Sequence, residues 1–405
     1  MAESFDVIVI GLGAHGSSAL YHLAREHRLS RGHWKVAGID RFTPPHAHGS
    51  SHGQSRIIRQ AYHENPIYVP FVQAAYDLWE VLERESGTSL LLGTGGLLLG
   101  AEDSMVVTGA RLSAETHGLD YEWLEAADIR RRFPAFRPVA GTVAVWEKRA
   151  GILFPEDCVA AHLRGAAAKG AVIRSDEVVL EIRPVAGGVQ VITSKGRYVA
   201  GRVIVSAGAW IGGLLPELKL PLNIERQVVC WFQDGRRAGS SVSASPLGPG
   251  SPLEPPVSPL GPQRMPVYIW EYAPGRLFYG FPDLGEGIKI GFHHGGRHIQ
   301  PEELQQDANV GEIGEIAAIA ASFLDIEPVF RSASVCMYTN TPDEHFILDV
   351  HPDCADIFIA SPCSGHGFKF SSVIGKILSE MAMGREAGFD LGAFGMKRFG
   401  KDFVV

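Results

Sequence analysis

The stretch that most limits the fold is the N-terminal "FDVIVIGLGAHGSSALYHLAREH", an apolar strand running into Gly11, Gly13 and Gly16 and then into a helix with apolar positions at helical spacing. Each glycine meets a need of a dinucleotide-binding strand–turn–helix: a tight turn, close approach of backbone to pyrophosphate, and a helix packed hard on its strand with its N-terminus toward the phosphates. A second strand, "KVAGID", ends in Asp40, whose carboxylate can accept hydrogen bonds from a ribose. The interval from Gly11 to Asp40 exceeds the usual ~20 residues because "HRLSRGHW" lengthens the loop before that strand. The whole is a βαβ dinucleotide fingerprint. It does not separate NAD from FAD, and a doubly wound fold without a nucleotide is the alternative.

With 405 residues, 45% hydrophobic and 20% charged, the chain can build two domains with full cores. The formal charge of −8 and the absence of a Lys/Arg run exclude the electrostatic footprint of a nucleic-acid or anionic-membrane binder. Five cysteines (Cys158, Cys230, Cys336, Cys354 and Cys363), an odd number without CxxC spacing, fit a reducing compartment and make no zinc site by spacing. No stretch approaches the ~18 apolar residues of a membrane span. Without a signal-peptide pattern or a C-terminal SKL, the cytoplasm is the expected location.

Further along, "RFTPPHAHGSSHGQSRIIRQAYHENP" forms an unusual loop, followed by an amphipathic helix over residues 67–86. "SLLLGTGGLLLG" reads as two short strands, and residues 151–174 as helix, turn and strand. A hairpin with a Gly-Gly turn leads to an apolar strand at 203–206, and the turn 207–210 is a second place where backbone can approach a cofactor. Residues 234–263 repeat "SPLGP" and carry too many prolines and serines for a core, so an exposed insertion is expected there. A strand pair turning at Pro274-Gly275, a helical stretch at 303–324, a strand "DIFIA" and a closing helix "VIGKILSEMAMG" complete the chain.

In "SASVCMYTNTPDEHFILD", Cys336 sits in an extended, β-prone stretch, where packing, ligation, nucleophilic attack and covalent attachment are all open. The His-rich "PPHAHGSSH" and "HHGGRH" admit a metal, but carboxylate partners are sparse. No GxSxG elbow supports a hydrolase.

"GLGAHGSSALYHLA", "PPHAHGSSHGQSRIIRQAY", "YGFP", "GIKIGFH", "CMYTNTPDEHFILD" and "SGHGFKFSS", in this order along nearly the full chain, resemble the monomeric sarcosine oxidase family, which includes N-methyltryptophan and pipecolate oxidases. The resemblance implies a two-domain α/β flavoprotein with a Rossmann-like FAD domain and a mixed-sheet catalytic domain. Residues 1–62, 150–220 and 325–405 would form the discontinuous FAD-binding domain, and 63–149 and 221–324 the catalytic one. It also implies FAD attached through a thioether from Cys336 to the flavin 8α-methyl. Cofactor contacts fall on Gly11, Gly13, Gly16, Asp40, Arg41, Ser51, Gly365, Gly367 and Lys369.

By the same resemblance Arg59 and Lys369 hold the substrate carboxylate, as a guanidinium fork and a point charge. His52 and Arg56 sit beside the flavin ring, Lys289 activates oxygen by stabilising developing negative charge, and His293, Tyr279 and Tyr338 line the amine end. In regular strands Lys289 and His293 face one side, as do Cys336 and Tyr338. Pro362, Cys363, Ser51 and Ser55 depart from the family's usual residues next to the pocket.

The expected activity is oxidation of a sarcosine-like secondary-amine amino acid to an imine, with oxygen reduced to hydrogen peroxide by a monomeric enzyme. Pipecolate or proline as substrate, a dehydrogenase using another acceptor, a nicotinamide enzyme, and an interaction protein acting through the Pro-rich insertion are the competing readings.

Overall fold

In the computed structural model, which describes residues 3–29, 34–237 and 258–400, the apolar run near the N-terminus becomes the strand Glu3–Ile10, buried throughout from Val7 to Ile10. It pairs in parallel with Val36–Ile39 on one side and Arg197–Val205 on the other, and Val172–Arg174 continues the parallel order beyond Val36–Ile39. Parallel strands covered on both faces need apolar residues at every position, as "VIVI" supplies. Arg197–Val205 has two partners along one edge: its first half pairs antiparallel with Gly188–Thr193, its second half in parallel with Cys354–Ser361. The C-terminal part of the chain thus joins the sheet that the N-terminus opened. Helices Ala14–Leu29, Pro155–Ala168 and Ser371–Ala382 pack together beside this sheet.

A second sheet runs Pro328–Asn340, Asn223–Asp234, Ile288–His293, Arg276–Phe281, Val267–Ala273, Gly96–Ala101, Thr142–Glu147, Glu122–Glu125. All its pairs are antiparallel except Val267–Ala273 with Gly96–Ala101. The period of two divides its residues. Cys230, Ile290, Phe278, Tyr268 and Trp270 pack with Ile316 and Ala320 of helix Val310–Phe323. Between them in sequence, Val229, Tyr279, Phe281, Lys289, His293, Cys336 and Tyr338 point to the opposite face. A small antiparallel sheet of Arg56–Ile58, Gly151–Leu153 and Leu91–Gly93 stands at the edge of the functional cavity.

Several elements differ in detail from the sequence reading. Strand Pro328–Asn340, grouped there with the FAD-binding segment, pairs along nearly all of Asn223–Asp234 in the second sheet, and the chain re-enters the first sheet at Ile347–His351. The 67–86 helix starts as a 3-10 turn, Pro66–Tyr68, capped by the Asn65 side chain; the α-helix Val69–Ser86 ends at Gly87 with φ 66°. The helix within 303–324 begins only at Val310, because Asn309 accepts the Glu312 amide while Glu312 reaches back to the Asn309 amide. The greater part of the Pro/Ser-rich insertion, 238–257, lies outside the described residues. No helix among the described residues is long and apolar enough to cross a membrane.

Candidate active site

The first strand delivers the chain into Gly11, at φ 83°, where a Cβ would lie 2.6 Å from the Ser206 carbonyl oxygen. At Gly16 a Cβ would fall 1.8 Å from the Gly11 carbonyl, so the protein's own backbone demands both glycines. Gly13 differs. Only Ser51 Oγ, at 3.4 Å, is near its added Cβ, which leaves the space above it for a bound group. Asp40 accepts the Leu12 amide at 2.6 Å and the Phe42 amide at 2.8 Å, tying the glycine turn to the end of the second strand. Ser51 Oγ accepts the Ala14 amide at 3.1 Å, and the Arg41 guanidinium lies over the Phe42 and Trp210 rings at 5.6 and 5.8 Å.

One cavity of about 420 Å³ is lined by this turn, by residues 206–210 and by the inner face of the second sheet. Of the residues singled out from the sequence, all border it except Gly16 and Lys289. An FAD fits this arrangement on three counts: the open space over Gly13, the Asp40 carboxylate at a ribose position, and the buried His52 Nε2, which has no hydrogen-bond partner among the described residues. Burial, helped by the Arg56 charge, pulls the His52 imidazole down to about 4, so it is neutral at pH 7.

Cys336 is buried in its strand opposite Gln227. Burial pushes its thiol up, and the Arg56 and Lys289 charges pull the other way. Arg56 donates to the Ser55 and Ser50 carbonyls at 2.8 and 2.7 Å. Lys289 stands one layer behind the cavity wall, its ammonium donating to Gly53 O at 2.6 Å, Ser55 O at 3.0 Å and Ser55 Oγ at 3.1 Å. Desolvation, then the Arg56 charge, holds its pKa well below the usual lysine range.

On the same sheet face, His293 Nδ1 is 3.5 Å from Tyr338 Oη, and the His293 ring meets Tyr279 edge-on at 6.3 Å. Burial holds His293 neutral and raises Tyr279 to about 12. A Cβ on Gly365 would sit 2.7 Å from the Tyr338 ring and 3.0 Å from His293, so the Gly-rich C-terminal turn can close against both. A Cβ on Gly367 would strike the Pro362 carbonyl at 1.7 Å.

Arg59 and Lys369 are both buried beside this end of the cavity. Arg59 Nη2 donates to both Glu64 carboxylate oxygens, at 2.8 and 2.6 Å, and Nη1 to the Ala61 carbonyl at 2.9 Å. Against the cost of burial, the Arg59 charge holds Glu64 well below the usual carboxylate range. Lys369 donates to His366 O at 2.6 Å and to Tyr62 Oη at 3.3 Å, and desolvation followed by the Arg59 charge lowers it to about 7. Tyr62 Oη in turn lies 2.5 Å from His366 Nδ1.

Glu64, Tyr62 and His366 have no role in the sequence reading, although "RQAYHE" puts an acid five residues after Arg59 and "SGHGFKF" contains His366. Their importance appears only once the two segments meet. Among the described residues no cluster of three His, Cys, Asp or Glu side chains is placed to hold a metal.

A glycine turn that opens into a cavity walled by buried cations and imidazoles fits an enzyme with a dinucleotide cofactor, and the chain belongs to the FAD dependent oxidoreductase family, which it matches over residues 6–381. Within that family it groups with the sarcosine oxidases. It is 39% identical to the monomeric sarcosine oxidase of Streptomyces avermitilis over 98% of both chains, and 32% identical to the N-methyl-L-tryptophan oxidase of Salmonella heidelberg over 98% of this chain and 99% of that one. The open form of NikD, an amino acid oxidase essential for nikkomycin biosynthesis, superposes over 97% of both chains with a TM-score of 0.78 at 23% identity. The family resolves the cofactor that the glycine motif left open as FAD and makes the protein an amine-oxidising flavoenzyme.

Proposed function

We propose that the protein oxidises an N-methyl or other secondary-amine amino acid of sarcosine-like size at the C–H next to nitrogen, with oxygen as the electron acceptor. The observation that carries this reading is the convergence, in one cavity, of two buried cations, Arg59 and Lys369, with the wall of Tyr279, His293 and Tyr338 and with Cys336. The cations match a carboxylate. The neutral His293 leaves the amine beside it free to stay uncharged, as loss of hydrogen from its carbon requires. FAD, when bound, would supply a two-electron acceptor: the amine would lose a hydride equivalent from its carbon and a proton from nitrogen to become an imine, water would split the imine, and oxygen would take up the two electrons and two protons, so that sarcosine would give glycine, formaldehyde and hydrogen peroxide. Cys336 is the proposed thioether anchor. The first sheet with its helices is the proposed FAD-binding unit and the second sheet the substrate unit.

A panel of sarcosine, pipecolate, proline and N-methylated larger amino acids tests the substrate class, through flavin bleaching without oxygen and peroxide formed when oxygen is admitted. Bleaching by none of them would refute the substrate class. Bleaching without peroxide on aeration would refute oxygen as the acceptor.

Lys289→Met is expected to slow reoxidation by oxygen about 100-fold while reduction by substrate stays within about threefold, because three acceptors around Nζ favour the ammonium against its desolvation, and a fixed ammonium stabilises charge that develops only in the oxygen step. Equal slowing of both half-reactions, measured by stopped flow, would refute that role.

A pH dependence follows from Lys369. With a pKa near 7 it is charged below that pH and neutral above it. The inhibition constant of acetate, a carboxylate without an amine, is expected to rise as pH climbs through 7 to 9. Lys369→Met should bind acetate more weakly at pH 6 and flatten the profile.

A further inference from the structure

The loop that holds Lys289 is itself held, and the group holding it has no part in the chemistry above. Gly53 and Gln54 are successive residues with positive φ, 92° and 67°. For Gln54 that conformation carries a steric cost that a glycine would not bear. Two successive backbone N–H groups in such a turn point the same way and form a small anion-binding hollow. Glu156 Oε1 fills it, accepting the Gly53 amide at 2.7 Å and the Gln54 amide at 3.1 Å. Glu156 sits in the first turn of helix Pro155–Ala168, where the helix N-terminus also favours a carboxylate.

The other side of the same turn faces the ammonium. Its carbonyls Gly53 O and Ser55 O are two of the three acceptors of Lys289 Nζ, and Ser55 O also receives Arg56 Nη1. Both of these hydrogen bonds go to amides rather than to the cations, while the Glu156 charge also favours the protonated form of Lys289. We infer that Glu156 is a positioning residue: by pinning the Gly53-Gln54 turn it fixes Lys289, and with it Arg56, for the oxygen half-reaction. This rests on the oxygen role proposed for Lys289. Loss of the carboxylate frees the strained Gln54 to relax, and the carbonyls that hold the ammonium turn with it.

The test compares Glu156→Ala, Glu156→Gln and Glu156→Ala with Gln54→Gly, all as FAD-loaded enzyme, with Lys289→Met as reference. Reoxidation by oxygen is followed after dithionite reduction, reduction with sarcosine or the best amine of the panel, and amide exchange at Gly53 and Gln54 by hydrogen–deuterium exchange. Glu156→Ala is expected to slow reoxidation about tenfold, leave reduction within about twofold and speed exchange of both amides. Glu156→Gln, which keeps one acceptor oxygen, should lose about threefold, and Gln54→Gly should restore part of the loss because glycine keeps positive φ unaided. Half-reactions slowed alike, or unchanged, would overturn the positioning role. If Glu156→Ala does not fold, the selectivity of Glu156→Gln decides in the same way. Should Lys289→Met slow reoxidation while neither Glu156 variant does, Glu156 is only structural and Lys289 keeps its role. Should Lys289→Met have no effect, both assignments fall.

Discussion

Cys336→Ala is expected to make all of the flavin extractable. Acid precipitation of the native enzyme should leave the yellow colour with the polypeptide, whereas the variant should release it to the supernatant. The outcome is nearly all-or-none because it reads a covalent bond, not an affinity. The geometry supports it. Cys336 borders the cavity, and the thiolate that would add to the flavin 8α carbon, after that methyl loses a proton and with the two electrons left on the flavin for oxygen to remove, is opposed by burial but favoured by Arg56 and Lys289. Cys230 is three residues past Gln227, the strand partner of Cys336, and so lies on the opposite sheet face among Ile290 and Phe278; Cys230→Ala should leave attachment intact. Colour lost from the native protein itself would reduce Cys336 to a packing residue.

That contrast between two buried cysteines also shows what could be read from the chain alone. Cys336 with Tyr338, and Lys289 with His293, share a face because strand side chains repeat every two residues, and the antiparallel register of their strands puts both pairs on the cavity side. The glycine turn was equally legible, since each glycine does a local job in a strand–turn–helix. Partners far apart in sequence were not legible. Nothing local in "FPED" says that Glu156 will meet the amides of Gly53 and Gln54. Nor does "GIKIGFH" say that Lys289 will stop one layer short of the cavity, which depends on where the 53–55 loop offers its carbonyls. The sheet that strand 328–340 joins was not legible for a related reason: an alternating strand suits either sheet, and only its long ladder with 223–234 decides.

Arg59→Ala should cost the most in catalytic efficiency. A buried guanidinium that pairs with a carboxylate contributes about 3 kcal/mol, so kcat/KM for a carboxylate-bearing amine is expected to fall roughly 150-fold, mostly through KM. Glu64 makes the loss larger. In the structure Arg59 already holds both Glu64 oxygens, so an incoming carboxylate must share or displace that pairing. Removing Arg59 leaves the Glu64 charge unpaired beside Lys369, where it repels the substrate carboxylate. Arg59→Ala with Glu64→Gln should therefore recover part of the activity, and Glu64→Gln alone should tighten simple carboxylate inhibitors, since Arg59 is then free for them. An amine with its carboxylate replaced by a neutral amide separates the effects: its already low kcat/KM should change less than about threefold in Arg59→Ala. A parallel loss for both amines would mean that Arg59 supports the fold of the 59–64 turn, through Ala61 O and the Tyr62 ring, rather than the substrate.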